Sequence, residues 1–163
     1  MKKSTEPDVL ALLNEAFSLE YNDVFLYLRE ADIFRSAKVK KTEVAKMFEE
    51  FSLEEMRHAD QLSVLILTID GSAHWEFKPL TYSDKLQDVL RVHSEAEAHA
   101  YFLYGRILKC LTDPAARATI ERIRASEKKH LALLIDLYKD LTGVPPPQME
   151  SSGYEYLDTP EEV

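Results

Sequence analysis

The sequence predicts an all-α protein, an antiparallel four-helix bundle with a long crossover between helices 2 and 3. Three observations predict it. Apolar residues recur at helical spacing through four long stretches separated by turn signals. Two of the three connections are short, whereas the middle one is long and irregular. Finally, one pattern occurs twice: Glu20 followed by Glu55-Met56-Arg57-His58, and Glu97 followed by Glu127-Lys128-Lys129-His130.

Taken in order, Thr5, Pro7 and Asp8 resemble a capping box, and apolar spacing then predicts helix 1 over about residues 6–36. A short basic connector, 36–41, leads to Thr42 as the cap of helix 2, which continues through Met47, Phe48, Phe51, Leu62 and Leu65 to Ile69. Asp70-Gly71-Ser72 stops it. From there to Ser83 the helical period is lost, with Pro79 among His74, Trp75 and Phe77. Ser83-Asp84 opens helix 3, which runs to Leu111. Asp113 then caps helix 4 with Pro114 at its first position, and Gly143 closes that helix after Leu141. Residues 1–143 form the bundle; residues 144–163 read as a Pro-rich acidic tail, extended or disordered, whose Tyr154, Tyr156 and Leu157 could pack on a partner.

Composition fits this reading. The 163 residues are 45% hydrophobic and 30% charged, enough for one domain with its own core. A net charge of -9 argues against a nucleic-acid binder or a protein held on anionic lipid, since both need basic surfaces. Cys110 is the only cysteine, so no internal disulfide or four-thiolate site can form, as in a reducing compartment. The N-terminal stretch is interrupted by Asp8, Asn14 and Glu15, unlike a signal-peptide core, and no apolar run approaches the ~20 residues of a membrane span. A cytoplasmic protein is expected.

The repeated pattern locates a site. Residues three apart on a helix share a face, so each Glu-x-x-His pair aims a carboxylate and an imidazole at one point. The midpoint between Glu20 and the 55/58 pair falls at about residue 38, inside the first turn, and that for Glu97 and the 127/130 pair at about residue 113, inside the last. Both sets therefore sit about halfway along the bundle. Their neighbours are apolar: Leu13, Phe17, Val24 and Tyr27 beside Glu20; Phe48, Phe51 and Leu62 beside Glu55; Ile120, Ile123, Leu131 and Leu134 beside Glu127. Glu49, Glu50, Glu54 and Glu95 fall on other faces and read as solvent charges, as do Arg122, Arg124, Lys128 and Lys129.

Four carboxylates and two imidazoles in one interior call for cations. Mixed oxygen and nitrogen ligation without thiolate suits iron, with manganese or zinc possible in its place, and this helical arrangement is the di-iron or di-manganese carboxylate pattern. In the expected arrangement Glu55 and Glu127 bridge two ions, Glu20 and His58 complete one, and Glu97 and His130 the other.

The spacing of Glu20 with Tyr27 and of Glu97 with Tyr104, beside the two Glu-x-x-His pairs, resembles the ferritin-like superfamily. Within it, Ala16-Phe17-Ser18-Leu19-Glu20 and Glu54-Glu55-Met56-Arg57-His58 are similar to rubrerythrin-related di-iron domains, over roughly residues 8–142. The resemblance implies that the hydroxyls of Tyr27 and Tyr104 bond the metal-binding carboxylates and serve catalysis, with plain aromatic packing as the alternative. It also implies a centre whose Fe(II) ions react with dioxygen or hydrogen peroxide, re-reduced by an external electron donor. Two departures stand out: there is no four-cysteine rubredoxin module, and Ser94 and Ala100 flank Glu97 where rubrerythrins carry a further carboxylate. The ligand set is thus closer to the symmetrical bacterioferritin type, yet the proline-rich tail offers no fifth helix, so a homodimer is expected rather than a cage. His93, one turn before Glu97, and Asp23, on the Glu20 face, are additional candidates, a structural role being favoured for His93; His74 and His99 are set aside. A non-catalytic iron store or carrier is the alternative function.

Overall fold

The computed structural model describes residues 8–79 and 83–147. Four helices account for most of them: α1 (Val9–Arg35), α2 (Thr42–Thr68), α3 (Leu86–Cys110) and α4 (Pro114–Thr142). Their ends follow local chemistry. Asp8 caps α1 by accepting from the Leu10 amide, and Asp113 caps α4 by accepting from Ala116, with Pro114 in the first turn. Gly143 closes α4 in the left-handed conformation, φ 79°, where a side chain would be strained.

Three boundaries differ from expectation. Thr5 and Pro7 lie outside the described residues, and the cap of α1 is Asp8. Thr42 is the first residue of α2; the cap position is Lys41, without a side-chain hydrogen bond. At α3, the Ser83 hydroxyl accepts from Lys85 and bonds Asp88, making a turn that precedes the helix, so α3 begins at Leu86. Of the tail, residues 144–147 leave the helix after Gly143, and the remainder is outside the described residues.

The crossover fixes the topology. At the end of α2, Gly71 packs so closely against α1 that an added Cβ would lie 2.4 Å from Leu10 Cδ1 and 2.9 Å from the Ile66 carbonyl. From there the chain runs along α1, held by three residues four apart. Asn14 accepts from the His74 amide; Ser18 donates to the His74 carbonyl and accepts from the Glu76 amide; Asn22 donates to the Glu76 carbonyl and accepts from Lys78. Trp75 stacks on Phe25 and donates to Asn22. At the far end Lys38, in the α1–α2 turn, pairs with Asp84 at 2.6 Å. The crossover thus spans the bundle, and α3 runs antiparallel to α1 and parallel to α2.

Asn22 is buried and holds two backbone groups of the crossover, the Glu76 carbonyl and the Lys78 amide, so its loss releases both. Asn22→Ala is expected to lower stability by about 1–3 kcal/mol, read from urea unfolding.

The core has two layers on either side of the bundle's midpoint. One, of Leu12, Leu13, Leu62, Leu103, Ile107 and Ile120 among others, is mainly aliphatic; the other gathers Tyr27, Phe34, Phe48 and Phe51. No helix among the described residues is long and apolar enough to cross a membrane.

Candidate metal centre

Between those layers the structure brings together all six residues singled out by the repeated pattern. Glu20, Glu55, His58, Glu97, Glu127 and His130 are each 6% exposed or less. Two groups form, Glu20 with Glu55, His58 and Glu127, and Glu55 with Glu97, Glu127 and His130, each with one ligand atom per residue within 4.8 Å of the others. Glu55 and Glu127 belong to both.

Each imidazole faces more acceptors than it can serve. His58 Nδ1 lies 2.9 Å from Glu55 and Glu127 oxygens and 3.3 Å from Glu20. His130 Nδ1 lies 2.9 Å from Glu55, 3.7 Å from Glu97 and 3.9 Å from Glu127. A ring nitrogen carries at most one proton and can satisfy one carboxylate. Glu55 Oε1, Glu127 Oε1 and His130 Nδ1 accordingly have no hydrogen-bond partner of acceptable geometry despite complete burial. Cations at the two foci would satisfy all of these atoms together, so the donor set fits two metal ions.

Without them, the cluster retains protons. Burial, then the charge of Glu55, pushes Glu20 up to about 8, and burial followed by the charges of Glu55 and Glu20 raises Glu127 well above the usual carboxylate range. Burial would also raise Glu55, but its close contacts with His130 and His58 outweigh it and hold that group below its ordinary value. Burial alone would lower the two histidines; contacts with the carboxylates prevail and push His58 to about 10 and His130 to about 11.

Two tyrosines close the cluster, and each serves the other half of the repeat. Tyr27 donates to Glu97 and Tyr104 donates to Glu20. Burial and the adjacent carboxylates raise both phenols well above their usual value, so both stay protonated donors. Asp23 is raised likewise, by burial and then by Glu97, but belongs to neither ligand group.

Several surrounding residues differ from expectation. Glu54 is not a plain solvent charge: it accepts from Ser126 at 3.1 Å and from His130 Nε2 at 2.9 Å, since α4 packs where α2 presents it. This bond occupies the outer nitrogen of His130 and leaves Nδ1 for the cluster. Arg124 lies 4.1 Å over the Tyr101 ring rather than on a solvated face. His93 is fully buried but paired with Glu30, outside both ligand groups. Glu30 escaped the sequence reading, although it interrupts an apolar stripe beside Tyr27, Ala31 and Phe34 just as Glu20 does. Glu49, Glu50 and Glu95 do pair with surface cations. His74 and His99 line a surface pocket with Glu15, away from the cluster.

The family model for rubrerythrin matches residues 11–138. The chain belongs to the rubrerythrin family. Among curated relatives of this rubrerythrin-family chain, bacterioferritin BfrA of Mycobacterium tuberculosis is 31% identical over 139 residues, covering 79% of this chain and 82% of the relative. The bacterioferritin of Mycolicibacterium paratuberculosis is 30% identical with the same coverage. The solved structure of the M. tuberculosis protein superposes with TM-score 0.74 at 23% identity, covering 93% of this chain and 91% of that one. Rhodobacter capsulatus bacterioferritin, solved with a metal-free dinuclear site and heme iron, gives TM-score 0.73 at 24% identity over 98% and 99% of the two chains. These likenesses establish the ferritin-like four-helix fold.

Proposed function

We propose that the cluster holds two iron ions and that the protein is an iron oxidoreductase of the ferroxidase type. Glu55 and Glu127, which stand in both ligand groups, would be shared by the two ions, with Glu20 and His58 holding one and Glu97 and His130 the other. The observation that carries this reading is the pair of ligand groups sharing two carboxylates, with buried oxygens left without a hydrogen-bond partner. Bound there, ferrous ions supply the electrons that reduce dioxygen or hydrogen peroxide. The chain does the rest. Tyr27 and Tyr104 hold the free oxygens of Glu97 and Glu20 in place, Glu54 fixes the tautomer of His130, and the aliphatic and aromatic layers keep bulk water out. Manganese or zinc would suit the same ligands.

The test is an anaerobic Fe(II) titration followed by separate additions of dioxygen and peroxide. Two irons per chain, rapidly oxidised and re-reducible by an external donor over many cycles, are expected; uptake without turnover would favour the store or carrier reading, which the bacterioferritin relatives support. Faster oxidation by one oxidant identifies the substrate. Glu54→Ala is expected to weaken metal binding about tenfold or more, measured by competitive Co(II) titration.

We further propose a cytoplasmic, self-associating protein, with a homodimer as its smallest assembly. Leu53, Met56, Val64 and Leu67 form an exposed apolar stripe along α2 that supports association. Light scattering of purified protein measures the assembly.

A further inference from the structure

The two copies of the pattern exchange by an approximate two-fold relation: Glu20 with Glu97, Tyr27 with Tyr104, and one Glu-x-x-His pair with the other. The relation fails beside the tyrosines. Four residues before Glu97 stands His93, but four before Glu20 stands Ala16; three after Tyr27 stands Glu30, but three after Tyr104 stands Ile107. His93 and Glu30 are 0% and 3% exposed and bond through Nε2 and Oε2. Ala16 and Ile107 are buried in the aliphatic layer together with Tyr104. One end of the centre is therefore backed by an acid–imidazole pair, the other by hydrocarbon.

Stability does not account for this pair. Buried acid–base pairs commonly match or fall short of apolar residues of the same volume. Here the cost is greater still, because His93 Nδ1 is buried with no hydrogen-bond partner. What the pair does achieve is orientation. Bonded to Glu30, the His93 ring lies flat on Tyr27, centroids 4.1 Å apart and planes at 11°. Phe51 meets the same tyrosine edge-on at 5.5 Å and 83°. The plane of Tyr27, and with it the direction of the hydroxyl that bonds Glu97, is thus fixed from two sides.

We propose that Glu30 and His93 are positioning residues for Tyr27 and, through its hydroxyl, for Glu97, and that they make the Glu97–His130 half of the centre unlike the Glu20–His58 half. The second part rests on reading Glu97 as a ligand. The first can be tested without metal. Protein labelled with 3-fluorotyrosine gives fluorine resonances for Tyr27 and Tyr104, assigned by replacing each with Phe. In metal-free protein, Glu30→Leu is expected to shift and exchange-broaden the Tyr27 line while leaving that of Tyr104 in place. Glu30→Gln, which keeps an oxygen to accept from His93, is expected to restore it.

Cobalt titration then reads the consequence: Glu30→Leu weakens one of the two binding steps about tenfold and leaves the other within about twofold. If Glu30→Leu does not fold, the double variant Glu30→Leu, His93→Leu makes the pair apolar at similar volume and carries the same expectations. An unchanged Tyr27 line, or equal changes at Tyr27 and Tyr104, overturns the positioning role. Equal weakening of both cobalt steps overturns the claimed difference between the halves. Failure of wild-type protein to bind cobalt overturns the reading of the site itself, while the fluorine comparison still decides what Glu30 and His93 do.

Discussion

Metal-free protein is expected to lose stability as the pH rises from about 5 to about 10, whereas the stabilisation conferred by bound metal is expected to grow over the same range. Glu20 is raised from 4.5 to about 8 in the folded chain, and His58 and His130 from 6.5 to about 10 and about 11. A group whose folded value is raised contributes fully below its unfolded value, and that contribution disappears as pH climbs through the folded one. The Glu20 contribution therefore fades between 4.5 and about 8, and the histidine contributions fade from 6.5 upward to about 10 and about 11. Glu55 acts with the opposite sign. Held below its ordinary value, it contributes above 4.5 and is lost on acidification, which limits stability on the acid side.

These groups titrate as one cluster, so their shifts do not add; a total on the order of 5 kcal/mol is the scale to expect. Metal reverses the trend because it displaces the same protons, and its affinity rises as they leave. Thermal unfolding of chelator-treated and Co(II)-loaded protein between pH 5.5 and 9 checks both slopes. A metal-free midpoint that stays flat or rises with pH across that range would show that the folded cluster does not hold extra protons.

What the sequence disclosed, and what it did not, divides by range. Asp113-Pro114 and Gly143 were legible because a cap is settled by residues within one turn of it. The start of α1 was less so, since Thr5 and Asp8 are both good caps and only the packed helix chooses between them. The convergence of the six residues was legible through two local signals that agree, carboxylates interrupting apolar stripes and mirrored depth in two hairpins. The partner of each tyrosine was not. Seven residues of helix span about 10.5 Å, so the hydroxyl of Tyr27 reaches past its own motif to Glu97 on α3. Glu54 and Glu30 were hidden for a related reason. Glu54 differs from Glu49 or Glu50 in having His130 and Ser126 of α4 beside it, and Glu30 acquires its meaning from His93 on α3. Contacts between distant helices leave no spacing to read.

Glu127→Ala is expected to reduce the metal bound from two ions per chain to one at most, the largest effect of any single substitution. Glu127 stands in both ligand groups, 2.9 Å from His58 Nδ1 through one oxygen and 3.9 Å from His130 Nδ1 through the other. Four carboxylates balance two divalent ions; three leave the second ion with net charge in a dry interior, where such charge is most costly. The helices should survive. Glu127 Oε1 has no hydrogen-bond partner, so losing the carboxyl removes an unpaired buried polar group, which offsets the space left by the side chain. Unchanged far-ultraviolet circular dichroism, with stoichiometry from equilibrium dialysis, separates loss of the site from loss of the fold. Glu121→Ala serves as the control: it removes an exposed carboxylate of the same helix, paired with Arg117, and should leave two ions bound. The thermal shift on adding Co(II) gives an independent reading, because a ligand at a hundred times its dissociation constant adds about 2.7 kcal/mol and each lost site removes its share. Two ions still bound to Glu127→Ala would mean that Glu55 alone bridges them, and the shared-carboxylate geometry would have to be redrawn around it.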